Sequence, residues 1–90
     1  ESPLKLCGYN VSQAEGLSAT TRQFLLAKII HDGIMSKLDV IHYLEHFINM
    51  NGAKKENALA LEKWCDDLDF VHKYNKSTQP RVFIERIKKY

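Results

Sequence analysis

From Phe24 to Val71 the apolar residues of this 90-residue chain return every three or four positions, with two breaks marked by glycine. That period matches the turn of an α-helix and restricts the chain to a helical core. Leu25, Leu26, Ile29 and Ile30 make a first stripe, widened by Phe24 and Ala27 and stopped at Asp32-Gly33. Leu38, Ile41, Leu44, Phe47 and Ile48 make a second, ended by Asn51-Gly52. Ala58, Leu61, Trp64 or Cys65, Leu68 and Val71 make a third, within a long helix predicted over 54–74. Glu62, Lys63, Asp66, Asp67 and Asp69 fall on the other side of that helix and read as a solvated face.

The helix starts carry their own signals. Ser18 precedes the first stripe, and a serine hydroxyl there accepts a bond from a free N–H of the first turn. Ser36 is followed three residues later by Asp39, a capping-box spacing with aspartate in place of glutamate. Met35 before the cap and Val40 inside the helix have the spacing of a hydrophobic staple.

The two ends read differently. Residues 4–11 are expected to be a short extended segment broken at Gly8. Residues 76–80 read as a turn. Residues 81–87 are rich in β-branched and aromatic side chains and favour a strand over a short final helix. The expected fold is therefore mainly α: a three-helix core with a helix-turn-helix-like first pair, a short extended N-terminal segment and a C-terminal β-strand. Its predicted core is Leu25, Leu26, Ile29, Ile30, Leu38, Ile41, Leu44, Phe47, Ile48, Leu61, Trp64, Leu68 and Val71. Ninety residues suit one domain, and because the chain opens on Glu1 we read it as a piece of a larger protein.

Composition excludes some classes of function. No apolar run approaches the roughly 20 residues that cross a bilayer, and no basic-then-apolar leader is visible. The net charge of +2 is too small to imply a polyanion partner for the whole chain. The basic excess sits in residues 76–90, where Lys76, Arg81, Arg86, Lys88 and Lys89 face Glu85 alone. Cys7 and Cys65 are the only cysteines, with no CxxC spacing. Small secreted domains carry more, so two free thiols in a cytoplasmic protein are expected.

The sharpest motif is His42-Tyr43-Leu44-Glu45-His46, which fits the H-x-x-E-H zinc pattern. Histidines at i and i+4 share a helix face and can grip Zn²⁺, while the glutamate polarises a water. Such a site needs a third ligand, for which Glu56, Glu62, Glu85, Cys7 or Cys65 are candidates, and a catalytic one also needs a cleft. A 90-residue helical domain has little room for the cleft, so His42 and His46 are a remote metal site and no cofactor is expected. Cys65 beside two aspartates is a poor thiolate, because negative neighbours raise a thiol's pKa. No glycine loop cradles a phosphate.

Nucleic-acid binding is the stronger alternative. The first helix, a short turn and a capped second helix have the connectivity of a helix-turn-helix. Arg81, Arg86, Lys88 and Lys89, with Lys37, are the candidate phosphate contacts. The acidic third helix opposes insertion into a groove.

A resemblance spans most of the chain. Ser2-Pro3-Leu4, Gly8-Tyr9-Asn10-Val11, Leu17-Ser18 with Arg22, Gly33-Ile34-Met35-Ser36-Lys37, and Leu61-Glu62-Lys63-Trp64 with Asp67, Phe70-Val71 and Tyr74 carry it. The pattern is similar to a small helical domain at the C-terminal ends of bacterial multidomain proteins of poorly defined function. Thr21 departs from it, standing where an acidic residue is expected. The resemblance implies a bacterial or phage origin and an accessory role, and it carries no catalytic residue. The expected function is that of a non-catalytic binding or positioning module whose partner is a protein or another domain of the parent chain.

Overall fold

The computed structural model describes residues 3–12, 16–52 and 54–75. Four α-helices follow in order: α1 (Pro3–Leu6), α2 (Ala19–His31), α3 (Lys37–Asn51) and α4 (Ala58–Lys73), with a 3₁₀ turn at Lys55–Asn57 ahead of α4. The chain is mainly helical, and no strand occurs among the described residues. The strand expected over 81–87 lies outside them.

The caps form as the sequence dictates. The Thr21 N–H donates to Ser18 Oγ at 3.3 Å, and the Asp39 N–H donates to Ser36 Oγ at 3.0 Å. Met35 and Val40, the two ends of the staple, are both buried in the main core. At the far end of α2, Gly33 takes φ +73. The Gly33 N–H then reaches the Ile30 carbonyl at 3.2 Å and the Ile34 N–H reaches that of Ile29 at 3.0 Å. This is a Schellman closure, in which a left-handed residue lets two orphan carbonyls find donors.

The extended N-terminal segment is not what forms. Residues 3–6 are helical, and Gly8, at φ +99, closes α1 in the same way as Gly33 closes α2. The Gly8 N–H donates to the Lys5 carbonyl and the Tyr9 N–H to that of Leu4, at 2.9 and 3.0 Å. Gly8 is thus a helix stop rather than a break in an extended run. Pro3, at the first helical position, has no N–H to leave unpaired there. The closure also brings Leu4 and Tyr9 together in the core, both buried.

The main core joins Leu4 and Tyr9 to Leu26 and Ile29 of α2, Met35, Val40, Ile41 and Leu44 of α3, and Val71 of α4. A smaller cluster holds Phe24, Ala27 and Tyr74 where α2 meets the end of α4, with Ile30 and Phe70 packed against it. Five predicted core residues are buried, namely Leu26, Ile29, Ile41, Leu44 and Val71. Leu25, Ile30, Phe47, Ile48, Leu61, Trp64 and Leu68 are half-buried at its margin, and the Phe47 and Trp64 rings lie 5.6 Å apart.

Leu38 is the exception: it is 61% exposed. At about 100° per residue it sits roughly 120° round the helix from Leu44, off the face that carries Val40, Ile41 and Leu44 into the core. Cys65 does not share the seam with Trp64 either. It is exposed, Cys7 is half-buried, and both thiols are free.

The Tyr74 ring is 2% exposed, and its hydroxyl has no hydrogen-bond partner among the described residues. Tyr74→Phe removes an unsatisfied buried donor, so it is expected to leave stability unchanged or raise it by up to about 1 kcal/mol. Thermal melting of the two proteins checks this, and a clear loss would mean that the hydroxyl has a partner.

Candidate functional site

Two places in the described structure gather polar chemistry. The first is buried. Asp67 on α4 is fully enclosed and Arg22 on α2 is 3% exposed. The Arg22 guanidinium grips the carboxylate with both ends of its fork, Nε to Oδ2 at 2.7 Å and Nη2 to Oδ1 at 3.2 Å. Its Nη1 donates to the Leu17 carbonyl at 3.0 Å. The Tyr9 hydroxyl donates to Oδ2 at 2.6 Å, and Gln23 Nε2 approaches Oδ1 at 3.4 Å. Both carboxylate oxygens are therefore occupied by protein donors, as a buried charge requires.

This arrangement corrects the solvated acidic face read from the sequence. Asp66 and Asp69 are exposed, but Asp67 belongs to the inward stripe that continues through Val71 and Tyr74. Arg22 holds the matching place on α2, four and seven residues before Leu26 and Ile29. The signal lay in the sequence: one base and one acid, each at apolar spacing in a different amphipathic helix. Reading each helix separately makes the charges look like errors in the stripe. Only their pairing explains them.

Burial, and then the negative charge of Asp67, hold the Tyr9 phenol well above its ordinary pKa. Burial works against the charge on Arg22, but the hydrogen bonds and charge of Asp67 outweigh it and raise its pKa. The folded chain thus holds the Tyr9 proton more tightly than the unfolded chain does. That stabilisation is complete below the phenol's ordinary value of about 10 and is lost as pH climbs above it. Spectrophotometric titration is expected to show Tyr9 ionising only as the helical signal collapses. Removing its absorbance step with Tyr9→Phe assigns the transition, and ionisation of Tyr9 in a still-folded chain would contradict the buried geometry.

The second place is the outer surface of α3. His42 and His46, one turn apart, are exposed and flank a shallow open depression of about 250 Å³ completed by Tyr43. The H-x-x-E-H spacing does bring both imidazoles to one face. No group of three or more histidine, cysteine or acidic side chains able to hold a metal occurs among the described residues.

No known protein family, curated protein or solved structure matches this chain. Its surface chemistry therefore has to be read from its own side chains.

The histidines belong to a longer feature. Ile34, Leu38, His42, His46 and Met50 recur every fourth residue, and all five are exposed. Ile34, Leu38 and Met50 are 58%, 61% and 64% exposed, three of the five large apolar side chains that stand out to solvent among the described residues, with Leu6 and Leu59 elsewhere. On α3 itself, Leu38, His42, His46 and Met50 stand at i and i+4 spacing and so form a continuous ridge, the element that fits the groove of a second helix; Ile34 lies in the turn before the helix. None of the five carries a fixed charge. Sequence reasoning split this ridge between a core residue, Leu38, and a metal pair, His42 and His46. Its unity shows only once the buried face of α3 is known.

Lys37, a candidate phosphate contact, sits half-buried at the start of α3. Its Nζ donates to the carbonyls of His72 and Tyr74, both at 2.9 Å, and so caps the C-terminal end of α4. Arg81, Arg86, Lys88 and Lys89 lie outside the described residues. No helix among the described residues is long and apolar enough to cross a membrane.

Proposed function

We propose that this chain is a non-catalytic binding and positioning module of a larger bacterial or phage protein, and that it acts through protein–protein contact along α3. The observation that carries the reading is the uncharged exposed ridge Leu38–His42–His46–Met50 of α3, with exposed Ile34 in the turn before it. An exposed ridge of that kind on a helix suits contact with another protein. The buried Arg22–Asp67–Tyr9 cluster supports the same reading. Its groups satisfy one another, and a carboxylate with no exposure has no route to a substrate.

The test is a photo-crosslinking side chain placed at Leu38 in the intact parent protein, with the same group at exposed Glu62 on α4 as control. Crosslinks from position 38 to a defined protein segment, absent from position 62, are the expected result. Equal or no crosslinking at the two positions counts against the proposal.

Nucleic-acid binding is the second reading, favoured by the basic residues of 76–90 and by the helix-turn-helix connectivity of α2 and α3. Lys37, engaged with two carbonyls, is a weak contributor to it. Affinity for duplex DNA that falls steeply between two salt concentrations, and weakens when Arg81, Arg86, Lys88 and Lys89 become alanine, would establish it instead. Zinc calorimetry tests His42 and His46 directly.

A further inference from the structure

We propose that His42 and His46 are one half of a site for zinc or a similar imidazole-binding divalent cation, and that the same two histidines of a second copy of this chain complete it. That copy is then the partner which the α3 ridge meets. Its functional meaning rests on the protein-contact reading above; the metal chemistry does not.

Histidines at i and i+4 stand on one helix face, close enough for both imidazoles to bind one cation. Both are exposed and border the same shallow depression with Tyr43. Among the described residues neither ring is held by a hydrogen bond or an ion pair, so its nitrogens are open to a ligand. Imidazole suits zinc, copper and nickel rather than magnesium or calcium. Zinc held structurally takes four protein ligands in a tetrahedron. One chain supplies two, because no other described histidine, cysteine or acid joins the pair. The same two from a second copy make the set of four.

The ridge is also built to meet itself. Leu38 stands four residues before His42, and Met50 four residues after His46. The order apolar, histidine, histidine, apolar is the same read from either end. An antiparallel copy related by a two-fold axis level with Leu44 sets His42 against His46 of the second copy, and Leu38 against its Met50. Such mutual contact, i on j and j on i, is what a two-fold interface requires. Helices that meet along i, i+4 ridges cross at about 50°, which lays one ridge along the other.

Charge brings the cation into the pairing. The exposed positions of α3 include Asp39 and Glu45 but no lysine or arginine. Glu45 is one residue from the level of the two-fold axis, so the Glu45 carboxylates of the two copies fall on the same flank. Two such faces repel unless positive charge lies between them, and a divalent cation supplies it. Four ridge side chains per copy are also far fewer than the roughly 20–30 residues a side of a stable interface. The pairing therefore depends on the metal.

Sedimentation and calorimetry of the full 90-residue chain with zinc chloride test the proposal, with a chelator and magnesium chloride as controls. The expected result is a monomer in chelator or magnesium, and a doubling of sedimented mass in zinc at one zinc per two chains. His42→Ala/His46→Ala should lose both the heat and the dimer. Both positions are exposed, so the fold should survive, and circular dichroism confirms it. Cobalt(II) gives an independent reading on the natural chain. The intense visible bands of a tetrahedral site are expected, without the near-ultraviolet sulfur charge transfer that Cys7 or Cys65 would add. Absence of zinc binding overturns the proposal. So does one zinc per monomer, a dimer that persists in chelator, sulfur bands with cobalt, or a zinc dimer that survives the histidine changes. Crosslinks from Leu38 of the parent to a different protein, with a chain that stays monomeric in zinc, sink this proposal alone. A zinc-bridged dimer with no crosslinks from Leu38 of the parent sinks the proposed function alone.

Discussion

Asp67→Ala is expected to cost about 3–5 kcal/mol of folding stability, the usual penalty for removing one partner of a buried ion pair. The loss comes less from the missing attraction than from what stays behind. The Arg22 guanidinium remains 3% exposed with only the Leu17 carbonyl to bond, and the Tyr9 hydroxyl loses its acceptor. A 90-residue domain holds about 5–13 kcal/mol in total, so this single change removes a large share of it. Urea unfolding measures the difference. Arg22→Met combined with Asp67→Leu is expected to be less damaging than Asp67→Ala alone, because no charge is then stranded between α2 and α4. If Asp67→Ala cost under about 1 kcal/mol, the pair would have to be hydrated, and the docking of α2 on α4 would differ from the arrangement described.

Leu44→Ala is expected to cost about 2–5 kcal/mol, as for a leucine whose removal leaves a cavity. Leu44 has no exposure and sits midway along α3 in the main core. Leu38→Ala is the internal control. It changes the same residue type on the same helix, but at a position that is 61% exposed, and should shift stability by no more than about 0.5 kcal/mol. The contrast between the two reads the rotation of α3 about its own axis. Equal losses would mean that Leu38 is covered; a negligible loss at Leu44 would mean that the helix faces the other way.

Much of the candidate site was legible before any fold was known, though in pieces. The His42–His46 spacing puts both rings on one face of any helix. The same arithmetic joins them to Leu38 and Met50, yet Leu38 was counted into the core because leucine at helical spacing is more often buried than not. What decided its exposure was the rotation of α3, which turns Val40, Ile41 and Leu44 into the shared core while Lys37 reaches the end of α4. Asp67 was misread for a related reason. An aspartate among acids on a helix belongs to solvent unless a base on another element meets it, and Arg22 lies 45 positions away in the chain.

Local stereochemistry, then, needed nothing but the order of residues. Where α2 and α3 start, where α2 stops, and which residues can share a face follow from caps, glycines and the helical period, because those forces act over a few neighbouring residues. The rotation of each helix, the enclosure of the Arg22–Asp67–Tyr9 cluster and the exposure of the α3 ridge belong to the tertiary structure. Each depends on which distant surface arrives to exclude water, and water exclusion is what makes a charge seek a partner and an apolar ridge remain unmatched.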